Sequence, residues 1–340
     1  MRHGHNATAY QTLNPGIRHW LNARADAVVG YVRRGSWLVV AGEPVCSSGL
    51  LRETTQDFER YARDRGCRVC YVCAADSLRV ELAGSAGHAA VTIGAQPVWR
   101  PADWPRIVHA RRSVRAQLHR ALNKDVEIEC LPPADGVRNP EIQRTLDEWL
   151  HIRRLPPMHF LVEPAVLSGI VDDRILLVAR RRNQVVAFLV ASPVAARNGF
   201  LIEELARSPR APNGTSELLI NAAMNRFAES GADWATMGLV ALAHGAFPEN
   251  PRWLRSLMAL ARAHANRFYN FRGLEQFRTK MQPAAWEKLY AISNERHFSP
   301  QALYAMGGAF SAISPVRAIG IAVLKAAREE LRMLGQKIRG

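Results

Sequence analysis

The sequence lacks the long apolar segments that mark membrane-spanning or exported proteins. No stretch approaches the roughly 18 apolar residues that a membrane helix requires. The first residues, Met-Arg-His-Gly-His-Asn, lack the apolar core of a secretory signal. We therefore expect a cytoplasmic protein, and peripheral contact with the inner face of the membrane remains open.

Acidic residues are scarce relative to basic ones. The 340 residues contain 30 Asp and Glu against 45 Lys and Arg, a formal net charge of +15. Such an excess favours anionic partners, namely nucleic acid, anionic lipid or phosphorylated substrates, although a merely basic, solvated surface is also compatible with it. The hydrophobic content of 48% indicates a soluble globular protein, and the length suggests about two domains.

Cysteine is also sparse, and three of the five cysteines, Cys67, Cys70 and Cys73, have a spacing seen in metal and iron–sulfur sites. Residues 67–74, however, have the composition of a buried strand. Alternate residues of a strand face opposite ways, so Cys70 is expected to oppose the other two, and three ligands could not converge. We expect buried free thiols, with no metal and no disulfide.

The apolar pattern alternates between strand and helix periods, which predicts an α/β (α+β) fold. Helix, hairpin, strand, helix and strand follow one another in the second half and, less clearly, in the first. Two tandem GNAT-like acyltransferase units explain this order. The expected strands are 36–41, 67–74, 89–93, 174–179, 185–191, 201–206 and 235–239, and the expected helices include 52–65, 105–124, 141–153 and one from Thr215.

The loop Leu131-Pro-Pro-Ala-Asp-Gly136 suggests a domain junction. We predict an N-terminal GNAT-like domain at 1–130 and a second one, carrying the transfer site, at 137–300. Residues 315–340 are predicted to form a basic amphipathic helix. It either packs on its own domain or a partner helix, or lies on an anionic membrane surface.

Residues 105–124 are predicted to form a basic helix, because no acidic residue occurs between Asp103 and Asp125. A solvated helix face usually mixes charges of both signs. This run of basic residues alone is therefore equally compatible with contact to phosphates and with simple exposure to solvent. The candidate substrate-binding residues of this helix are Arg111, Arg112 and Arg115.

Three further segments contain candidate site residues. In Glu203-Glu204-Leu-Ala-Arg207, Glu204 is suited to act as a general base or to hold a substrate amine, and Arg207 to bind a phosphate. Pro212-Asn-Gly-Thr215 opens a helix whose free N–H groups favour an anion; it contributes Asn213, Gly214 and Thr215. A salt bridge and an ordinary capped helix would explain the same residues.

The third segment is Phe268-Tyr-Asn-Phe-Arg-Gly-Leu-Glu-Gln-Phe-Arg-Thr-Lys280. We expect its aromatic residues to anchor it around a glycine turn, so that fixed positive charge is presented to a phosphate or an oxyanion. The candidates here are Asn270, Arg272, Arg278 and Lys280.

Together these segments resemble the C-terminal domain family of phosphatidylglycerol lysyltransferases, the soluble part of the multiple peptide resistance factor. The resemblance covers roughly residues 5–300. The residues that carry it are Gly42-Glu-Pro-Val45, Arg111-Arg-Ser-Val-Arg115, Glu204-Leu-Ala-Arg207, Ala211-Pro-Asn-Gly-Thr215, Phe268-Tyr-Asn-Phe-Arg-Gly-Leu274 and Phe277-Arg-Thr-Lys280.

The resemblance implies two tandem GNAT-like domains and transfer of an amino acid from aminoacyl-tRNA to a lipid hydroxyl, such as that of phosphatidylglycerol. An aminoacyl ester is already activated, so this chemistry requires no cofactor. We assign Glu204 to the substrate amine or hydroxyl, Arg207 to a phosphate, and Arg278 with Lys280 to a phosphate or the oxyanion. The basic helix would contact tRNA or lipid head groups.

Two alternatives remain at this stage. The first is an acyl-CoA-dependent N-acyltransferase, although residues 207–215 offer only one glycine and two prolines where a CoA pyrophosphate loop is glycine-rich. The second is a non-catalytic GNAT-like module that binds RNA or membrane. The sequence leaves the amino acid, the acceptor lipid and the oligomeric state open.

Overall fold

The structure, a computed structural model, describes residues 2–83, 87–152, 158–164, 166–168, 172–243, 247–264 and 271–311. Helices and strands alternate along these residues, which confirms the α/β class. The strands of the first half are β1 Arg18–Leu21, β2 Val28–Arg34, β3 Trp37–Ala41, β4 Arg68–Ala74 and β5 Ala89–Trp99. The helices between them are α1 Leu51–Arg63 and α2 Asp76–Ala83.

The second half begins with two helices and contains most of the others. Its strands are β6 Val126–Leu131, β7 Ile175–Arg181, β8 Gln184–Val194, β9 Gly199–Arg207, β10 Trp234–Thr236, β11 Val240–Ala241 and β12 Ala285–Ser293. Its helices are α3 Trp104–Ala110, α4 Arg112–Leu122, α5 Pro133–Val137, α6 Pro140–Ile152, α7 Thr215–Glu229, α8 Arg252–His264, α9 Phe271–Lys280 and α10 Pro300–Phe310.

The same local unit occurs in both halves of the sheet. In the first half β2 and β3 form an antiparallel hairpin, and α1 then crosses to β4, which is parallel to β3. In the second half β8 and β9 form the hairpin, and α7 crosses to β10, parallel to β9. The strand, helix and strand at the end of the predicted order thus occur in both halves, whereas the α-helix predicted ahead of the hairpin is found only in the second half of the described residues, as α6.

The two halves share one mixed sheet, in the order β1-β2-β3-β4-β12-β5-β10-β9-β8-β7-β6, with β11 also on β5. β12 lies between β4 and β5 and is antiparallel to both. A strand from the end of the second half therefore completes the sheet of the first. The domain boundaries at 130 and 137 remain a prediction.

Several predicted elements differ from the structure. β5 continues to Trp99 because β12, distant in sequence, pairs with it from Ala89 to Val98, and β10 pairs with its last residues. The predicted strand at 235–239 ends at Thr236. The helix predicted at 105–124 breaks at Arg111, whose backbone is extended (φ −103°, ψ 96°). The glycine turn predicted in the third segment was wrong, since Gly273 lies within α9. The predicted helix at 315–340 lies outside the described residues.

The cysteine strand also departs from simple alternation. Cys73 has a positive φ of 63° and lies where the register between β4 and β12 shifts. This bulge turns Cys73 to the same side as Cys70, whereas Cys67 packs on the other side, so the predicted grouping was wrong. Burial raises the pKa of the Cys70 and Cys73 thiols to about 12. All five cysteines are free, and only Cys130 is exposed.

The described residues contain no group of three or more His, Cys, Asp or Glu side chains arranged to hold a metal ion. None of the helices formed by those residues combines the length and the apolar character needed to span a bilayer.

Candidate active-site cleft

A cleft of about 520 Å³ lies at the carboxyl end of β9, where α4, α6, α7 and α9 meet. The strand topology explains its position. β10 is only three residues long, and its last residue, Thr236, pairs with Leu201 of β9. Beyond Leu201, the described residues place no strand on that side of β9. The sheet therefore has a gap on that side of β9, next to the loop that leads into α7.

Arg207, the last residue of β9, lines this cleft together with Arg120 of α4. Among the described residues, neither side chain has a hydrogen bond or an acidic partner. Guanidinium groups are normally paired where they approach other protein groups, and they recognise phosphate or carboxylate in a forked geometry. The cleft thus contains two cations that are available to an anionic ligand.

The N-terminus of α7 forms another wall of the cleft through Asn213, Gly214, Ser216 and Glu217. The first helical hydrogen bond runs from the amide of Leu218 to the carbonyl of Gly214 (2.9 Å). The amides of Ser216 and Glu217 precede this bond, so they lack helical partners and face the anion-attracting end of the helix dipole. This is the geometry expected of a phosphate-binding wall.

The start of α7 has no side-chain cap. Gly214 is the N-cap residue, in the left-handed conformation (φ +97°), and provides no side chain. Thr215 is fully buried, and its hydroxyl donates to the carbonyl of Pro212 at 2.8 Å. Thr215 therefore closes the turn from within and does not line the cleft.

The α9 helix provides the aromatic wall, with Phe277 lining the cleft. The two predicted cations of this helix contact protein groups. Lys280 Nζ lies 2.7 Å from Glu217 Oε1 and 5.2 Å from the centre of the Phe277 ring. Arg278 Nη1 donates to the carbonyl of Gly238 at 2.8 Å, just beyond the end of β10. Lys280 thus fastens α9 to the start of α7, and Arg278 fastens it to the chain just beyond β10.

We expect the Lys280→Met variant to lose about 1–2 kcal/mol of unfolding free energy, because it leaves the Glu217 carboxylate, 10% exposed, without its partner. The double variant Glu217→Gln/Lys280→Met should recover most of this loss. Urea unfolding of the single and double variants measures the effect. Equal destabilisation of both variants would show that the ion pair does not govern the stability of this wall.

A bulge in β9 precedes the cleft. The register against β8 shifts between Val190 and Ala191, which leaves Glu203 as the extra residue. Glu203 forms an ion pair with Arg174 at 2.9 Å, and the two side chains are 0% and 1% exposed. Burial raises the pKa of the Glu203 carboxyl above its usual range, and Arg174 opposes that rise. This pair lies inside the protein, away from the cleft.

Glu204 also lies outside the cleft lining. Leu205 and Arg207 face the cleft, whereas Glu204 alternates with them and shares the other side of β9 with Ala206. Its side chain is buried. The structure therefore brings Arg207, Asn213 and Gly214 together and places Glu204 on the opposite face of the strand.

The three arginines predicted as binding residues of the basic helix differ in their contacts. Arg111 and Arg112 are exposed at the start of α4. Arg115 is half-buried, and its guanidinium donates to the carbonyls of Val108 and His109, so it joins α3 to α4. Arg111 and Arg112 thus remain available at the surface, whereas Arg115 has a structural contact. Asn270 and the side chain of Arg272 lie outside the described part of the structure.

Sequence reasoning did not single out Gln117, Arg120, Trp149 or Glu217 as site residues, yet all four line the cleft. Arg120 belongs to the acid-free run and is three residues from Gln117, so the two share a helix face. The sequence therefore contained an indication that Arg120 and Gln117 could line a site together. It contained no such indication for Glu217, because its partner Lys280 is 63 residues away.

The fold and the cleft define the class of this protein. Two hairpin–helix–strand units in one mixed sheet, with the end of β9 unpaired on one side beside a helix N-terminus, form a tandem GNAT-like α/β fold. The L-PGS structure from Bacillus licheniformis has this fold, with a TM-score of 0.73 and 18% identity, covering 94% of this chain and 92% of that one. FemX is more distant, with a TM-score of 0.56 and 8% identity, covering 88% of this chain and 97% of that one.

The chain belongs to the family described as phosphatidylglycerol lysyltransferase, C-terminal, which matches residues 1–293. A phosphatidylglycerol lysyltransferase of Staphylococcus aureus strain MRSA252 is 22% identical over 292 residues, covering 86% of this chain and 34% of that protein. The one from Staphylococcus epidermidis is 21% identical over 300 residues, covering 88% and 35%. The chain thus spans about a third of the length of these curated relatives.

Proposed function

We propose that this chain is an aminoacyltransferase that moves an amino acid from aminoacyl-tRNA to a hydroxyl of a lipid such as phosphatidylglycerol. The observation that carries the proposal is the cleft in which Arg207 and Arg120 have no acidic partner among the described residues and face the N-terminus of α7. Membership of the lysyltransferase family and the names of the curated relatives support the reaction class.

The proposed reaction requires no energy source beyond the donor. The acceptor hydroxyl oxygen attacks the carbonyl carbon of the aminoacyl ester, and a tetrahedral oxyanion forms. The bond to the ribose oxygen of the tRNA then breaks, and that oxygen takes up the proton released by the acceptor hydroxyl. The protein's part is to orient two bound substrates and to place positive charge near the oxyanion.

The residues of the cleft fit these tasks. Arg207 and Arg120 are proposed to bind a phosphate, either that of the lipid head group or one near the tRNA terminus. The amides of Ser216 and Glu217 would bind the same anion or the oxyanion. The phosphate and oxyanion roles predicted for Arg278 and Lys280 remain predictions, as does the contact of Glu204 with the substrate amine or hydroxyl.

The exposed start of α4 gives the tRNA or the lipid head groups a further contact. Arg111 and Arg112 extend a cationic surface from the helix that also carries Arg120 into the cleft. Contacts of this kind depend on salt, because phosphate binding releases counterions. The reaction would take place at the inner face of the membrane, where the acceptor lipid meets cytoplasmic tRNA.

A direct assay tests the proposal. The purified protein is incubated with a pool of labelled aminoacyl-tRNAs and vesicles that contain phosphatidylglycerol, and the lipids are then extracted into organic solvent. Label in the lipid fraction is expected, and its identity names the amino acid. Intact aminoacyl-tRNA with unlabelled lipid would contradict the proposal. Labelled acyl-CoA in a parallel assay provides the competing donor.

A further inference from the structure

An exposed apolar stripe runs along α8. Trp253, Leu257 and Leu260 are 37%, 43% and 57% exposed and follow one another at the i, i+4, i+7 spacing of a single helix face. Nine large apolar side chains are exposed among the described residues, and three of them lie in this stripe. Single exposed apolar residues are ordinary, whereas a contiguous row marks an interaction surface.

The helix is fastened to the protein by its opposite face, so the stripe is not its packing surface. Leu254 and Met258 are buried in the core of the first half. Just before α8, the Asn250 side chain makes two hydrogen bonds of 2.8 Å with the backbone of Thr92 in β5. The stripe is therefore presented outward on a rigidly held helix.

The charged residues of α8 itself are all basic. The sequence contains no Asp or Glu from residue 250 to residue 274, while Arg252, Arg255 and Arg262 lie on α8 itself. Arg252 is exposed next to Trp253. Arg262 faces the protein, where it pairs with Glu275. A helix with an apolar face of Trp and Leu, an exposed arginine beside it and no acidic residue of its own is typical of helices that lie in the interface of an anionic bilayer.

We propose that α8 is the membrane-docking element of this protein, with Trp253, Leu257 and Leu260 inserted among the lipids of an anionic bilayer surface. Charge complementarity favours this occupant over a protein partner, because α8 carries no acidic residue, Arg252 is exposed beside the stripe, and a phospholipid surface supplies phosphate groups along it. The inference rests on the proposed function in one respect, namely that the acceptor is a membrane lipid.

A connection exists between this helix and the cleft. Arg262, near the end of α8, forms an ion pair of 3.1 Å with Glu275 of α9. Two residues further along α9, Phe277 lines the cleft. Docking of α8 would therefore hold the cleft wall at a fixed position relative to the bilayer from which the acceptor is drawn.

The test compares vesicle flotation of the full chain with that of the triple variant Trp253→Ser/Leu257→Ser/Leu260→Ser. Vesicles contain phosphatidylcholine alone or phosphatidylcholine with an equal share of phosphatidylglycerol. We expect the wild-type chain to float with the anionic vesicles and the triple variant to bind them at least about tenfold more weakly. The matched control is Leu21→Ser/Val80→Ser/Tyr304→Ser, which removes side chains that are 58%, 58% and 50% exposed elsewhere, and it should bind as the wild type does.

Flotation of the triple variant equal to that of the wild type would overturn the proposal. The proposal would also be overturned if another part of the protein or a second copy covered the stripe in the absence of lipid. An environment-sensitive dye on Leu257→Cys, in a Cys130→Ser background that removes the one exposed thiol, should report water before vesicles are added and an apolar medium afterwards. A dye that reports an apolar medium before vesicles are added would show that another part of the chain or a second copy covers the stripe. A change in oligomeric state of the triple variant would identify a second copy as the cover.

Failure of the proposed function can be told apart from failure of the docking. Flotation requires no turnover, and short-chain phosphatidylglycerol, dispersed in water, offers the acceptor without a bilayer. The triple variant should lose transfer on vesicles and retain it with the short-chain lipid. Loss of flotation in the variant, with no transfer by the wild type to either lipid, would support the docking and contradict the transferase proposal.

Discussion

Replacing Arg207 with alanine is expected to lower the rate of aminoacyl transfer by about two to three orders of magnitude while the fold remains intact. The guanidinium lies in the cleft with no hydrogen-bonding or acidic partner among the described residues, so its removal leaves no buried charge behind. A charged donor that meets a phosphate or a developing oxyanion typically contributes an effect of this size.

Steady-state transfer to phosphatidylglycerol vesicles measures the loss, and thermal unfolding checks the fold. Arg207→Lys keeps the charge but not the forked geometry, and it should recover only part of the activity. Arg226→Ala provides the matched control, because Arg226 is an exposed arginine on the outer face of α7. Turnover in Arg207→Ala equal to that of the control would contradict the role of Arg207.

The part of the site that sequence alone could predict is the part that is local along the chain. Arg207, Asn213 and Gly214 belong to one strand–loop–helix connection, so a strand end followed by a turn and a helix start is enough to place them together. The role of Arg120 could also be predicted in part, since the run without acidic residues indicated a cationic helix. What the sequence could not supply was the packing of α4 against the start of α7.

The remaining differences come from contacts between distant residues. β12 completes the first half of the sheet, and no local pattern indicates that residues 285–293 pair with β4 and β5. The same pairing shifts the register at Cys73 and so changes the side on which that thiol packs. Likewise Lys280 reads as a free cation in the sequence, and only the tertiary fold brings it to Glu217.

Gly214 is expected to be the position at which the smallest substitution has the largest structural effect. Its backbone has a φ of +97°, and a Cβ added there would lie 2.0 Å from the carbonyl oxygen of Gln117 in α4. Left-handed backbone alone costs a residue with a side chain about 1–2 kcal/mol, and α4 cannot give way without leaving its own packing. We expect Gly214→Ala to lose at least about 3 kcal/mol of unfolding free energy.

The other end of the same helix offers the control that separates the two causes. Gly231 follows α7 with a φ of +74°, and an added Cβ there would meet no atom within 4 Å. Gly231→Ala should therefore lose only about 1–2 kcal/mol, the cost of the backbone conformation alone. Equal shifts in the urea midpoint of the two variants would show that the contact with Gln117 is unimportant. We expect a larger shift for Gly214→Ala, with transfer reduced at temperatures where the variant is folded. That result would show that the close approach of α7 to α4 holds Arg120 and Arg207 on either side of one cleft.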